Sequence, residues 1–405
     1  MRRIAWLLLL LFAFAIPWEY SLELGAPLGN IARFIGVLLL LVAIPAVLQA
    51  GRLRSPGPMQ WLVMAFFLWY SCTCFWTIDP QVTVAKLRGY LQELLIVWLV
   101  WEFAESAGDL RALLRATVAG SWVLALLTLA NFATAEAMAN QIRFAAEGQD
   151  PNDVARFLNL GFPLAALLLN SQPRWPWRLL AAGYLPLGLV AVLLTASRGG
   201  FLAAIVALAG SGVLLVYGRP RRVLAGVLTL PLLAAGLWLT VPRGTYERLA
   251  TISEQLQGGD LNQRWNIWRA GWQAFARAPF FGTGAGTFVS AAGVAPIDTA
   301  HNTALAIAVT GGLCALFLAS AIVAVAIWSI TQTRGPLKWA LATTLAVWLV
   351  TSLVATVEES RTTWLLLAMI ALAGRLAVEE PERLAACFPA AVPGPEFQGA
   401  TEPIL

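Results

Sequence analysis

The feature that most constrains this chain is a recurrence of apolar runs, most of them 15 to 21 residues long, separated by short segments whose positive charges are almost all arginine. A helix needs about 20 apolar residues to cross a hydrocarbon core of about 30 Å. Such runs fall near residues 1–17, 31–50, 59–77, 90–104, 112–132, 154–171, 179–197, 199–217, 223–241, 302–328, 339–356 and 362–378. They predict an all-α polytopic membrane protein of about 12 transmembrane helices. Composition closes off the alternatives. Of the 405 residues, 59% are hydrophobic and only 12% charged, half the charged fraction of an ordinary soluble domain. A soluble enzyme, a nucleic-acid binder and a disordered chain are excluded, so no nucleic-acid partner is expected.

Met1-Arg2-Arg3 followed by an apolar run to Pro17 has the look of a signal peptide, with Ala13-Phe14-Ala15 resembling a cleavage site. The many later runs make an uncleaved first span the expectation. With the N-terminus inside, the inner segments carry 15 of the 27 Lys and Arg residues, among them Arg2, Arg3, Arg111, Arg115, Arg174, Arg178, Arg219, Arg221 and Arg222, and the short outer loops are poor in them. The positive-inside rule then puts both termini in the cytoplasm. The expected organisation is spans one to nine over 1–241, a large periplasmic loop over 242–300, spans ten to twelve over 301–378 and a cytoplasmic tail over 379–405. Within the loop, Asp260 with Gln263 reads as a helix cap. Trp265, Trp268, Trp272 and Phe275 then recur at helical spacing on one face, which predicts an interfacial helix. No inverted repeat is visible, which weakens a transporter reading.

Four outer-face stretches hold the residues that could do chemistry: Lys86-Leu-Arg88 between spans three and four; Asp150-Pro151-Asn152-Asp153 with Arg156; Ser197-Arg198-Gly199-Gly200; and the long loop, with Arg264, the glycines at 282, 284 and 286, and His301-Asn302. An arginine beside hydrocarbon costs at least about 2.5 kcal/mol and is usually kept for a role. Arg198, with glycines that permit a sharp turn and close backbone approach, suits bidentate pairing with a phosphate; a snorkelling or capping arginine is the plainer alternative. His301, the single histidine, can accept a proton near pH 7, or can be a polar residue at a helix start, which Asn302 could cap. Asp150 and Asp153 can hold a divalent cation or begin a helix. The glycines lack nucleotide-loop spacing. The four cysteines suggest no disulfide or zinc framework, and no metal constellation is readable.

Read in order, Ser197-Arg198-Gly199-Gly200, Arg264-Trp265 with Trp268, Ala278-Pro279-Phe280-Phe281-Gly282-Thr283-Gly284-Ala285-Gly286 with Phe288, Ala300-His301-Asn302 with Leu305, and Gly311-Gly312 resemble the O-antigen ligase and polymerase superfamily. The Asp150-Pro151-Asn152-Asp153 run recurs there too, so the likeness covers roughly 145–330. It implies a multi-spanning glycosyltransferase of the GT-C type in the bacterial inner membrane, metal-independent and without a cofactor. Such enzymes move a glycan from undecaprenyl diphosphate to an acceptor hydroxyl at the periplasmic face. The acceptor is a lipid A core sugar in the ligases and another lipid-linked unit in the polymerases. The likeness further implies that Arg198 and Arg264 hold the diphosphate, with Lys86 and Arg88 as further contacts, that His301 is catalytic and handles the acceptor, and that Asn302 and Arg156 serve the acceptor or loop. A ligase is the leading expectation and a polymerase the second. A lipid or polysaccharide flippase is the alternative outside enzymes. A protein-glycosylating relative would carry a larger C-terminal periplasmic portion.

Overall fold

The computed structural model describes the chain except residues 26–27, 136–142, 172–173, 217–235, 237, 239, 253, 255–263, 297 and 390–405. Most of the ninth apolar run, the Asp260–Gln263 cap, Arg219, Arg221, Arg222 and most of the tail lie outside the described residues. Those described form helices and one isolated bridge between Glu23 and Asn30. In chain order the helices are α1 (Arg2–Ala15), α2 (Ile31–Ala50), α3 (Pro58–Cys72), α4 (Pro80–Phe103), α5 (Ala107–Ala135), α6 (Pro151–Ser171), α7 (Trp175–Leu194), α8 (Arg198–Val216), α9 (Arg243–Ala250), α10 (Arg264–Arg277), α11 (Phe288–Ala292), α12 (Thr303–Gln332), α13 (Gly335–Ser352), α14 (Arg361–Glu379) and α15 (Pro381–Cys387). Eight of the described helices are long and apolar enough to cross a membrane: α1 with its 3-10 extension to Ser21, α2, α5, α6, α7, α8, α12 and α14. The third, fourth and eleventh runs coincide with α3, α4 and α13. One boundary differs from expectation. Asp79 caps α4 by accepting from Val82 N at 3.2 Å, so the helix starts ten residues before its apolar run, and Lys86 and Arg88 sit on it rather than in a loop.

The centre of the bundle is α6, nearly all of it buried. Small residues let its neighbours close on it. A Cβ on Gly161 would stand 2.4 Å from the Tyr184 hydroxyl, and one on Gly200 2.4 Å from Ala155 Cβ. Polar side chains then tie the helices together. Tyr184 donates to Leu158 O at 2.7 Å, Asn159 to Gly200 O at 2.7 Å and Asn170 to Leu214 O at 2.6 Å. Small contacts and interhelical hydrogen bonds hold helices together where no hydrophobic force acts between them.

The run at 302–328 reads as one span, but α12 is broken at Gly312, whose φ of 68° is left-handed. The loop after α10 enters the break. Leu313 N and Cys314 N, which would have bonded Val309 O and Thr310 O, donate instead to Pro279 O (2.8 Å) and Phe280 O (3.5 Å). The freed carbonyls accept from Thr283 N (3.0 Å) and Gly284 N (2.9 Å), and Trp69 Nε1 donates to Gly311 O at 2.8 Å. The ladder is exchanged rather than lost, as broken backbone at membrane depth requires. The loop's other edge is held by Ile78 N to Thr283 O (3.0 Å), Ala285 N to Thr73 Oγ1 (3.2 Å) and Thr83 Oγ1 to Ala285 O (3.0 Å).

Both terminal helices meet at one end of the bundle. Arg2 pairs with Glu102 and Glu105 at 2.8 and 2.9 Å, and Arg375 donates to Trp101 O and Ala104 O at 3.0 and 2.6 Å. The loops bearing His301 and Arg264 lie at the other end.

Gly312→Ala places a Cβ 2.2 Å from Phe280 O at φ 68° and ψ −167°, a region open essentially to glycine alone, at a cost of about 1–3 kcal/mol. The expected result is an undocked loop: trypsin cleavage after Arg277 accelerates while far-UV circular dichroism is unchanged. Unaltered cleavage contradicts the clamp.

Candidate functional site

Arg198 begins α8 immediately after a three-residue turn from α7. The turn's left-handed residue is Ala196, with φ 47°, and not a glycine. Gly199 and Gly200 instead lie in the first turn of α8, where their missing side chains admit Val354 and Ala155. Ser197 Oγ accepts from Gly200 N at 3.1 Å and donates to Asn152 Oδ1 at 2.8 Å, which fixes the turn to the head of α6.

Around this turn gather guanidinium groups from four segments. Arg143 donates Nε to Thr195 O at 3.2 Å and Nη2 to Asn152 Oδ1 at 2.8 Å. Arg248, on α9, donates Nε to Ala196 O at 3.1 Å. Arg198 reaches back to Arg248 O at 3.3 Å and Thr251 Oγ1 at 2.6 Å. Arg264 opens α10 within electrostatic reach of Arg198. Burial first, and then these like charges, lower the pKa of Arg143, Arg248 and Arg264. Mutual repulsion of this kind is relieved by a multiply charged anion, and a guanidinium fork matches phosphate oxygens.

His301 is brought to this cluster by α10. Ile267, Gly271 and Ala274 are its buried face, packed with Phe288, Ala300 and Leu305, and Gly271 admits Leu305 Cδ2 and a Phe288 ring edge where a Cβ would stand 2.9 and 3.0 Å away. The aromatic face expected from the sequence is therefore adjacent to the buried one. Trp265 and Trp272 are exposed, while Trp268 donates Nε1 to Ala300 O at 3.0 Å and fixes the residue before His301. His301 has φ 46°, and it and Ala196 are the non-glycine residues with left-handed φ among those described. Strained conformations of this kind persist where the surroundings over-determine them, commonly at functional sites. Its Nδ1 lies 3.3 Å from Thr299 Oγ1. Burial first, then Arg264, lower the imidazole pKa from its ordinary 6.5, against the opposite pull of Asp298, Asp150 and Asp153. At pH 7 the ring is neutral and can take a proton.

Of the other residues singled out from the sequence, Asn152 accepts from Arg143 and Asp150 lies within electrostatic reach of Arg143 and Arg264; the rest make contacts of their own. Lys86 forms an ion pair with Glu359, and its stem lies against Gly286. Arg88 is exposed, and residues two apart on a helix do not share a face. Arg156 is buried in α6, paired with Asp153 at 3.2 Å and 4.8 Å above the Phe157 ring. That pairing and the Asp150 bond to Asn152 N at 2.8 Å make the run a helix start, the alternative to a cation site. Asn302 caps α12, accepting from Leu305 N at 2.9 Å and donating to Leu353 O at 3.3 Å. Arg143 and Arg248 join the cluster although no spacing in the sequence marks them. Beside Asn302 an open apolar groove of about 460 Å³ runs between α10 and α12, lined by Trp265, Trp268, Trp272, Leu305 and Ala308 among others.

Set against known proteins, the segment that supplies Arg198, Arg248, Arg264, His301 and the Gly312 break is the one that matches. No curated protein matches the chain. Residues 183–320, about a third of the sequence, match the family model described as O-Antigen ligase, and this segment supports the likeness to the O-antigen ligase and polymerase superfamily.

Proposed function

We propose that the chain is an O-antigen ligase: a metal-independent, inverting glycosyltransferase. It moves a glycan from undecaprenyl diphosphate to a lipid A core sugar hydroxyl at the periplasmic face of the inner membrane, with both termini in the cytoplasm. The observation that carries this reading is the convergence of Arg198, Arg264, Arg143 and Arg248 beside a histidine held neutral. An anomeric carbon bearing diphosphate already has a good leaving group. Charge grows on the diphosphate as the C–O bond breaks, and fixed cations aimed at it stabilise that state. Each close pair is worth on the order of 4 kcal/mol at an effective dielectric near 20, before desolvation. The acceptor oxygen bonds to the anomeric carbon, the bond to diphosphate breaks, and His301 takes the hydroxyl proton. The tautomer whose Nδ1–H donates to Thr299 Oγ1 leaves Nε2 for that proton. One displacement inverts the centre. The apolar groove beside Asn302 and Arg269 suits the first isoprenyl units of the donor. Lys86 and Arg156, each paired with a carboxylate, act in this reading as supports rather than first contacts. Gathering of these four cations beside His301, rather than along the depth of the bundle, favours transfer over translocation.

In a deletion strain complemented with wild type or His301→Ala, polysaccharide gels separate the outcomes. The variant is expected to leave polymerised glycan on undecaprenyl diphosphate and none on the core, with donor binding retained. Glycan stopping at one repeat unit on the core indicates a polymerase, and normal transfer by His301→Ala removes the base. Arg198→Glu is expected to weaken donor binding at least tenfold; unchanged donor affinity counts against its role.

Because the chain has one histidine, its imidazole can be followed directly by NMR titration. The charged form is the disfavoured one, so the midpoint is expected below 6.5 and the base stays available until pH falls through it. Arg264→Gln removes a cation and is expected to raise the midpoint. A midpoint at or above 6.5 in wild type, or none moved in Arg264→Gln, contradicts the electrostatic account.

A further inference from the structure

We propose that the end of the bundle opposite His301 carries a binding site for the headgroup phosphodiester of an anionic phospholipid, built from Arg111 and Arg115 on α5 and Arg174 and Arg178 at the head of α7. Arg111 and Arg115 are spaced i, i+4 and so share one helix face, while Arg174 is the N-cap of α7 and Arg178 lies in its first turn. The two helices are locked side by side there: Trp122 of α5 donates Nε1 to Leu180 O of α7 at 2.7 Å, and the Arg115 guanidinium stacks 5.0 Å above the Trp177 ring. Arg111 and Arg174 both lie within electrostatic reach of Arg115.

Apart from Glu382, the described carboxylates at this end are committed elsewhere. Asp109 accepts from Glu105 N, Ser106 N and Ser106 Oγ. Glu102 and Glu105 take Arg2, Glu379 takes Arg375 and Glu380 takes Arg383. The Arg111 Nε is buried without a hydrogen-bond partner among the described residues. Topology alone asks for positive charge near a span, not for guanidinium groups converging on two locked helices.

The surroundings point to a lipid rather than a free anion. Trp175 is 71% exposed and Leu179, one turn further along α7, 59%. Indoles favour the headgroup level, so the arginines stand at phosphate height with apolar surface beneath for an acyl chain. Basic pockets between helices on the cytoplasmic side are suited to anionic headgroups.

The test is native mass spectrometry of the full-length protein in detergent, with phosphatidylglycerol or phosphatidylcholine of matched chains, alongside thermal melting. Wild type is expected to retain phosphatidylglycerol about tenfold better than phosphatidylcholine. The Arg111→Gln/Arg174→Gln variant is expected to lose most of that preference, and Arg383→Gln, exposed at the same end, to keep it. Equal retention of the two lipids by wild type, or full preference in the double variant, overturns the proposal. Inorganic phosphate raising the melting midpoint as much as phosphatidylglycerol overturns the lipid assignment in favour of a free-anion site. Should the double variant not fold, wild type decides alone: the phosphatidylglycerol-specific shift is expected to shrink between about 0.05 and 0.5 M salt as the Debye length contracts, and a salt-indifferent shift overturns the site. None of these readouts depends on glycan transfer.

Discussion

The exchange of hydrogen bonds at Gly312 is the constraint on which the outer half of the molecule depends. A helix broken among lipid-facing neighbours leaves donors and acceptors that cost several kcal/mol each if unmet. Here the loop at 279–284 supplies both the carbonyls for Leu313 and Cys314 and the amides for Val309 and Thr310. That loop follows α10 directly and leads into α11. Once it is seated, α10 has little choice of position: Gly271 meets Leu305, and Trp268 reaches Ala300. Arg264 at one end of α10 and His301 at the start of α12 are thereby set by the same backbone repair.

The second constraint is the head of α6. Asn152 accepts from both Ser197 and Arg143, and Asn159 donates to the backbone carbonyl of Gly200. The turn carrying Arg198 is thus bonded to the most buried helix of the bundle, and the strain at Ala196 is borne by those contacts. Strain at His301 is borne likewise by Trp268 on one side and the Asn302 cap on the other. Arg198, Arg143 and Arg248 are therefore held through the head of α6, whereas Arg264 shares α10 with the support of the base.

The helical architecture was legible because apolar periodicity and run length are local properties. The long described helices fall on expected runs, eight of them long and apolar enough to cross a membrane; the boundary of α4 moved, where the Asp79 cap outweighed the polarity of 80–89. The order of Arg198, Arg264 and His301 was legible as a likeness. Less was legible where the outcome is set across the chain. Nothing near Arg143 or Arg248 announces that carbonyls of a distant turn will orient them. Lys86 reads as a free outer cation until Glu359 is seen beside it. The glycines after Arg198 look like turn residues, yet close approach to Ala155 and Val354 is what uses them. In α10 the aromatic spacing marks a largely exposed face, and the small residues Gly271 and Ala274 beside it, which no aromatic pattern announces, are the ones that fit against α12.

Placing the base beside a leaving-group cation has a consequence for the proposed transfer. Arg264 disfavours the imidazolium, which keeps the ring available but also makes it a weaker base. A diphosphate held on the arginines offsets that charge and favours the imidazolium again. The ring therefore becomes a stronger base when the donor is in place, and weaker once the diphosphate has left and no longer offsets Arg264. The proton it gained is then released more readily to water. A single cation shared between leaving group and base can in this way tie proton transfer to occupancy of the donor site.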